Sequence, residues 1–177
     1  MLTKENLAEI KKEAELYVDK SLTEIAEENS IKVIIKDLSN IGTGDISGAI
    51  FIGKKEDNTD ETIIFIDSRK HKNRQRFTFA HELGHYFLHQ DILNEKKSIV
   101  DKDDLYLFRD DIYINVPDDM KEIEEQANEF AGNLLMPKAK VLELWGKSKN
   151  IGLLAEAFDV SISAMSYRIY NLSLTDD

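Results

Sequence analysis

The pentapeptide His81-Glu82-Leu83-Gly84-His85 restricts the fold of this chain more than any other feature of the sequence. It lies in the stretch RFTFAHELGHYFLH, which contains no proline and repeats its apolar residues with a helical period. Two histidines four residues apart lie one turn from each other on the same helix face, so both imidazoles can bind one metal ion. The sequence predicts a largely buried helix from Gln75 to about His89, with His81 and His85 as candidate ligands. The alternative is a pair of histidines that pack or hydrogen-bond in a core.

A metal ion held by two histidines needs a further protein ligand, and the composition narrows the choice. Zinc in hydrolytic sites takes three protein ligands and a water molecule. The chain has no cysteine, which excludes thiolate ligands and disulfides. His89 continues the same stripe, but in a straight helix it lies about 12 Å along the axis from His81, too far for bonds of about 2 Å. We therefore expect His89 to be structural or to support a ligand, and the third ligand to come from a second helix.

A second amphipathic helix is predicted from the start signal Pro117-Asp118-Asp119 to about Met136. Its buried stripe consists of five apolar residues, namely Ala127, Phe130, Ala131, Leu134 and Leu135. Glu124 precedes Ala131 by seven residues and therefore lies on this stripe, whereas Glu125 points about 100° away from it. A carboxylate that faces a core needs a cationic partner, and a metal ion supplies one. The sequence thus favours Glu124 as the third ligand.

The other polar residues of this helix have different explanations. Glu122, Glu125 and Glu129 fit a solvated acidic face. Asn128 lies one turn beyond Glu124, where its side chain can hold a ligand imidazole by the second ring nitrogen without binding the metal.

Two stretches of the chain resemble a known family. Residues 74–85 (RQRFTFAHELGH) and 124–137 (EEQANEFAGNLLMP) closely resemble the ImmA/IrrE family of metallopeptidases. The segment from Ser47-Gly48-Ala49 to Ile66 and the tetrapeptide Leu107-Phe108-Arg109-Asp110 are also similar to that family's landmarks, so the resemblance covers most of the chain. It implies a gluzincin-like site with one zinc ion. Carried over by motif position, the zinc ligands are His81, His85 and Glu124, and the catalytic carboxylate is Glu82.

The resemblance also implies an activity and a substrate class. A protein of this kind is expected to be a zinc endopeptidase that cleaves a helix-turn-helix transcriptional repressor of a mobile element or stress operon. Glu82 would then act as the general base. Four residues remain open as the donor to the developing oxyanion, namely Tyr106, Arg109, Tyr113 and His89. The alternative is a non-proteolytic regulator or toxin-like partner that binds a repressor or antitoxin.

The rest of the pattern predicts helices together with a small sheet, and the resemblance implies an α+β fold with a compact zincin-like metallopeptidase core. An amphipathic helix is predicted from Asn6 to Glu28, with Ser21 as the candidate position for a break. Strands are predicted at 31–38, 46–53 and 61–67, the last two forming a hairpin, and a further strand at Leu105 to Phe108. We expect residues 1–137 to form the core and residues 138–177 a helical, helix-turn-helix-like subdomain.

The carboxyl-terminal subdomain lacks the positive charge of a DNA reader, because residues 138–177 include five basic and five acidic residues. Its three predicted helices cover residues 138–145, 151–158 and 161–172, with Ser161 capping the last. Arg168 and Asn171 are the residues of that last helix suited to reading bases. The whole chain has 23 basic and 34 acidic residues, a net charge of 23 − 34 = −11. Direct DNA binding is therefore not expected, and a basic protein partner is favoured.

Basic residues are concentrated in one run, formed by Arg69, Lys70, Lys72, Arg74 and Arg76. This run could grip an acidic substrate segment, or it could be a solvated turn that balances an acidic chain. The amino-terminal residues contain no continuous apolar segment, and no apolar run approaches the roughly 20 residues that span a bilayer. We expect a cytoplasmic protein without a membrane partner.

Overall fold

The computed structural model describes residues 3–40, 46–55, 57–102 and 118–174. Within these residues the chain forms an α+β fold, as predicted. The helices are α1 (Lys4–Glu15), α2 (Leu22–Glu28), α3 (Lys72–Leu88), α4 (Gln90–Lys96), α5 (Asp118–Leu135), α6 (Lys138–Lys147), α7 (Ile151–Ala157) and α8 (Ile162–Asn171). The strands are β1 (Ile31–Lys36), β2 (Ile46–Lys54), β3 (Asp60–Asp67) and β4 (Ser98–Lys102). None of the helices in the described part of the chain combines the length and apolar character needed to cross a bilayer.

The four strands form one mixed sheet in the order β1-β3-β2-β4. Strands β2 and β3 form the predicted antiparallel hairpin, with Phe51 opposite Ile63, while β1 runs parallel to β3. Strand β4 pairs with the other edge of β2 and was not predicted. The strand expected at Leu105 to Phe108 lies outside the described residues. Buried Ile50, together with other β-branched residues of the sheet, supplies one wall of the core, against which α3 packs.

The amino-terminal region contains two helices where the apolar period predicts one with a candidate break. Helix α1 ends at Glu15, and α2 begins immediately after Ser21. The break has a local cause, because the Ser21 hydroxyl accepts from the Glu24 backbone N–H and the Glu24 carboxylate accepts from the Ser21 N–H at 2.7 Å. This capping box sets the start of α2 and separates it from α1.

Helices α3 and α5, which carry the candidate metal ligands, pack closely against each other. Gly84 permits this approach, since a Cβ atom at this position would lie 3.1 Å from both the Cα and the carbonyl oxygen of Ala127. Phe130 is fully buried beside the contact, with its ring 5.7 Å from that of Phe87. Helix α3 begins at Lys72, three residues earlier than predicted, where the His71 imidazole accepts from the Asn73 backbone N–H at 3.3 Å.

Two arginines bond the carboxyl-terminal helices to the rest of the molecule. Buried Arg168 of α8 donates to the Met136 carbonyl oxygen at 3.0 Å and to Asn133 Oδ1 at 2.7 Å. Arg76 of α3 donates to the carbonyl oxygens of Phe158 and Asp159, at 2.7 and 3.1 Å. The guanidinium of Arg168 is therefore engaged inside the protein rather than presented to a DNA groove. The boundary between residues 137 and 138 remains a prediction.

We expect Arg168→Met to lower the free energy of unfolding by about 2–3 kcal/mol, because it removes charge-assisted hydrogen bonds to buried acceptors on Met136 and Asn133. Urea denaturation followed by circular dichroism measures the change. Lys138→Met is the matched control, because Lys138 is exposed at the start of α6. Equal stability of the two variants would contradict the assigned role of Arg168.

Candidate metal centre

Three buried side chains from two helices converge at the contact between α3 and α5. His81 and His85 of α3 and Glu124 of α5 bring their ligand atoms within 4.8 Å of one another. The two Nε2 atoms are 2.9 Å apart, and Glu124 lies 3.1 Å from His81 Nε2 and 3.3 Å from His85 Nε2. The structure therefore brings together the three residues that the sequence predicts as ligands.

The ring of His81 has a defined proton position. Its Nδ1 atom lies 3.0 Å from Oδ1 of Asn128. Because an amide oxygen accepts but never donates, the proton of neutral His81 resides on Nδ1, and the Nε2 lone pair faces the cluster. Asn128 thus occupies the position that the sequence predicts for a support of the imidazole. In contrast, His89 lies at the far side of His85, where its Nδ1 is 3.0 Å from His85 Nδ1.

The electrostatics of the three residues suit a divalent cation. Burial lowers the pKa of His85 to about 4, so this imidazole is neutral at pH 7. Burial raises the pKa of Glu124, but the close contact of its carboxylate with His81 and His85 outweighs this and holds the pKa well below its usual range. An ionised carboxylate and the nitrogen lone pairs of neutral imidazoles would repel one another at these distances without a cation. Two nitrogens and a carboxylate form a donor set that metal ions such as zinc accept. The residues therefore fit a metal ion.

Glu82 follows His81 on α3, and its side chain faces the sheet. It is fully buried and packs against β2 at Gly48. A Cβ atom at Gly48 would lie 2.8 Å from Glu82 Oε1 and 3.1 Å from the Phe65 carbonyl oxygen, and closest of all to Thr78 Cγ2. The β2–β4 register shifts between Ile46 and Gly48, which marks a bulge at this point. The family resemblance marks Gly48 only as part of a landmark segment, although a glycine within a β-branched strand indicates a close approach of this kind.

We expect Gly48→Ala to displace Glu82 and to destabilise the fold by about 1–3 kcal/mol through overpacking. A shift of the Glu82 carboxylate by about 1 Å would lower a peptidase rate by about 100-fold. Thermal denaturation and cleavage kinetics measure the two effects. Gly53→Ala is the matched control on the same strand, because its nearest neighbour would be the Glu61 carbonyl oxygen at 3.9 Å. The assigned role of Gly48 is wrong if both variants behave alike.

The basic run is largely occupied with contacts inside the protein. Arg69 donates to Asp67 at 2.7 Å and lies 3.2 Å from Asp37, and Arg74 donates to the Ser47 hydroxyl at 3.3 Å. Arg76 donates to the backbone carbonyl oxygens of Phe158 and Asp159. These contacts favour a structural role for the run over a grip on an acidic substrate.

Three candidate oxyanion donors, Tyr106, Arg109 and Tyr113, lie outside the described residues.

A comparison with protein families identifies the fold that carries this site. The family described as Peptidase_M78, IrrE N-terminal-like domain, matches residues 26–170. The chain belongs to the Peptidase_M78 family. This match confirms the ImmA/IrrE resemblance and places α3, α5 and the carboxyl-terminal helices up to Tyr170 within the family's domain. The Peptidase_M78 family is a metallopeptidase family, in keeping with the buried cluster of two histidines and a glutamate.

A solved structure with a similar fold is a Mycobacterium tuberculosis transcriptional regulator, which is 15% identical to this Peptidase_M78 chain. The alignment covers 94% of this chain and 47% of that one, with a TM-score of 0.57. The present chain thus spans about half the length of that regulator. At this identity the likeness shows the fold alone. Among curated proteins, none matches the chain significantly.

Proposed function

We propose that this chain is a zinc-dependent endopeptidase whose substrate is a helix-turn-helix transcriptional repressor of a mobile element or stress operon. The observation that carries the proposal is the buried convergence of His81, His85 and Glu124 within 4.8 Å, with buried Glu82 directly after His81 on the same helix. Family membership supports the same activity, since Peptidase_M78 is a metallopeptidase family. We assign His81, His85 and Glu124 as the ligands of one zinc ion and Glu82 as the catalytic residue.

We assign each residue of the site its role in catalysis from the position of its side chain. When bound, zinc supplies Lewis acidity toward the scissile carbonyl and toward the attacking water. Glu82 accepts a proton from that water as it attacks the carbonyl carbon and then delivers the proton to the leaving amine nitrogen. Asn128 keeps the Nε2 lone pair of His81 directed at the cluster by accepting from Nδ1–H at 3.0 Å. Gly48 leaves the space that the Glu82 carboxylate occupies.

The substrate class rests on charge and on the family. A net charge of −11 attracts a basic DNA-binding protein and disfavours DNA itself. The similar solved structure is described as a transcriptional regulator, which supports a regulatory setting. The contacts of Arg168 within the protein support a partner other than DNA.

Mass spectrometry of the cleavage products tests the proposal. Zinc-loaded protein is incubated with the helix-turn-helix repressor encoded beside its gene, and we expect one defined cut. An intact repressor that nevertheless binds would instead favour the non-proteolytic regulator. Metal analysis of protein purified without added metal tests zinc against iron and manganese, which also accept two histidines and a carboxylate.

Added salt should slow the cleavage of a basic repressor, because it screens the attraction to an acidic enzyme. We expect kcat/KM to fall between about 10 mM and about 150 mM NaCl, where the Debye length shrinks from about 30 Å to about 8 Å. Cleavage of a short, uncharged peptide that spans the cut site is the control and should change less. Equal salt dependence for both substrates would exclude electrostatic steering.

A further inference from the structure

A series of hydrogen bonds begins at Nδ1 of His85 and leads away from the candidate metal centre. His85 Nδ1 lies 3.0 Å from His89 Nδ1, and His89 Nε2 lies 2.8 Å from Gln126 Oε1. The amide nitrogen of Gln126 donates to Glu122 Oε1 at 3.4 Å. His89 is buried, so solvent does not compete for the hydrogen bond between the His85 and His89 rings. These hydrogen bonds connect the end of α3 to α5, the helix that also carries Glu124.

The chemistry of the outer groups determines where the protons reside. The Glu122 carboxylate accepts from the Gln126 amide nitrogen, which turns the amide oxygen toward His89. That oxygen can only accept, so the proton of a neutral His89 is on Nε2 and its lone pair is on Nδ1. His89 Nδ1 therefore accepts from Nδ1–H of His85. The remaining lone pair of His85 is then on Nε2, 2.9 Å from His81 Nε2 and 3.3 Å from Glu124.

We propose that His89, held by Gln126, is a positioning residue that fixes the tautomer and orientation of His85 and thereby strengthens metal binding. The inference rests on the proposed function, because it requires a metal at His81, His85 and Glu124. It explains the third histidine of the stripe, which is too distant to share the ion with His81. The two ligand imidazoles are thus held differently, His81 by an amide and His85 by a second imidazole.

Supporting hydrogen bonds of this kind contribute about 10- to 100-fold to metal affinity. We therefore expect His89→Leu, which fills the space but cannot accept a hydrogen bond, to raise the zinc Kd by about 10- to 100-fold. His89→Gln retains a carbonyl oxygen as an acceptor and should restore most of the affinity. Gln126→Leu, at a half-buried position, should weaken zinc binding in the same direction.

Zinc affinity is measured by competition with a chelator of known Kd, and circular dichroism of the metal-free proteins checks folding. Gln90→Leu is the matched control. Exposed Gln90 adjoins His89, but it donates to the Tyr86 carbonyl oxygen, which takes no part in the series of hydrogen bonds from His85 to Glu122. If folded His89→Leu and Gln126→Leu bind zinc as tightly as wild type, the positioning role is overturned while the proposed function stands. A wild-type protein that binds no zinc overturns both. If His89→Leu fails to fold, Gln126→Leu decides alone.

Discussion

Glu82→Gln is expected to remove peptide hydrolysis while leaving the fold and zinc binding intact. An amide has nearly the same shape as the carboxylate but cannot accept the proton of the attacking water. Loss of a general base costs about 10²- to 10⁴-fold in rate. Glu82 is not one of the three converging ligand groups, so its neutralisation leaves the donor set unchanged. Mass-spectrometric cleavage of the repressor gives the rate, and metal analysis gives the zinc content.

The experiment needs a variant with the same change of charge away from the site. Glu95→Gln provides it, because Glu95 is exposed on α4. We expect this control to cleave at the wild-type rate, since a surface carboxylate takes no part in the chemistry. Cleavage by Glu82→Gln at a comparable rate would eliminate Glu82 as the base, whatever the state of the metal.

Glu124→Gln is expected to raise the zinc Kd by more than 100-fold, because it removes the anionic ligand that balances the charge of the ion. Loss of a mere supporting group costs about 10- to 100-fold, so loss of a direct ligand must exceed that range. The carboxylate is buried beside both imidazoles and is the acidic member of the cluster that the described residues form. Chelator competition measures the affinity, with intact secondary structure as a requirement.

The adjacent acidic residue supplies the matched control for this prediction. Glu125 follows Glu124 directly on α5, about 100° around the helix. Glu125→Gln has the same chemistry of substitution and should change the zinc Kd by less than about 3-fold, as expected for a carboxylate that makes no ligand contact. A larger loss in Glu125→Gln than in Glu124→Gln would mean that the helix phase assigned here is wrong.

Periodic apolar residues made the main helices predictable. The stripe of α5 selects Glu124 over Glu125 because only one phase of an 18-residue helix buries Phe130 and Ala131 together. A long helix repeats its apolar pattern over several turns, so a single residue that departs from the pattern does not hide it. The bounds of α3 and α5 therefore differ from the predicted ones by only a few residues. The hairpin of β2 and β3 was predictable for a similar reason, since two β-branched runs flank one turn-prone segment.

Short helices and strands, and the elements with which they pair, are harder to predict from the sequence. Helix α4 has seven residues, too few to show a period, and β4 is defined by its pairing with β2 rather than by its own pattern. The end of α1 at Glu15 was also missed. The apolar period continues past this point, and the capping box at Ser21 marks only the start of the next helix.

The sequence by itself determined the helix that carries His81 and His85, the phase that turns Glu124 toward them, and the absence of cysteine ligands. These properties follow from spacing along one helix at a time. Only the tertiary structure decided that Gly48 of β2 makes room for Glu82, and that His89 reaches Gln126 across the α3–α5 contact. Such contacts depend on how closely two separate elements pack and on which hydrogen-bond partner each buried atom meets. Periodicity within one segment carries no information about either.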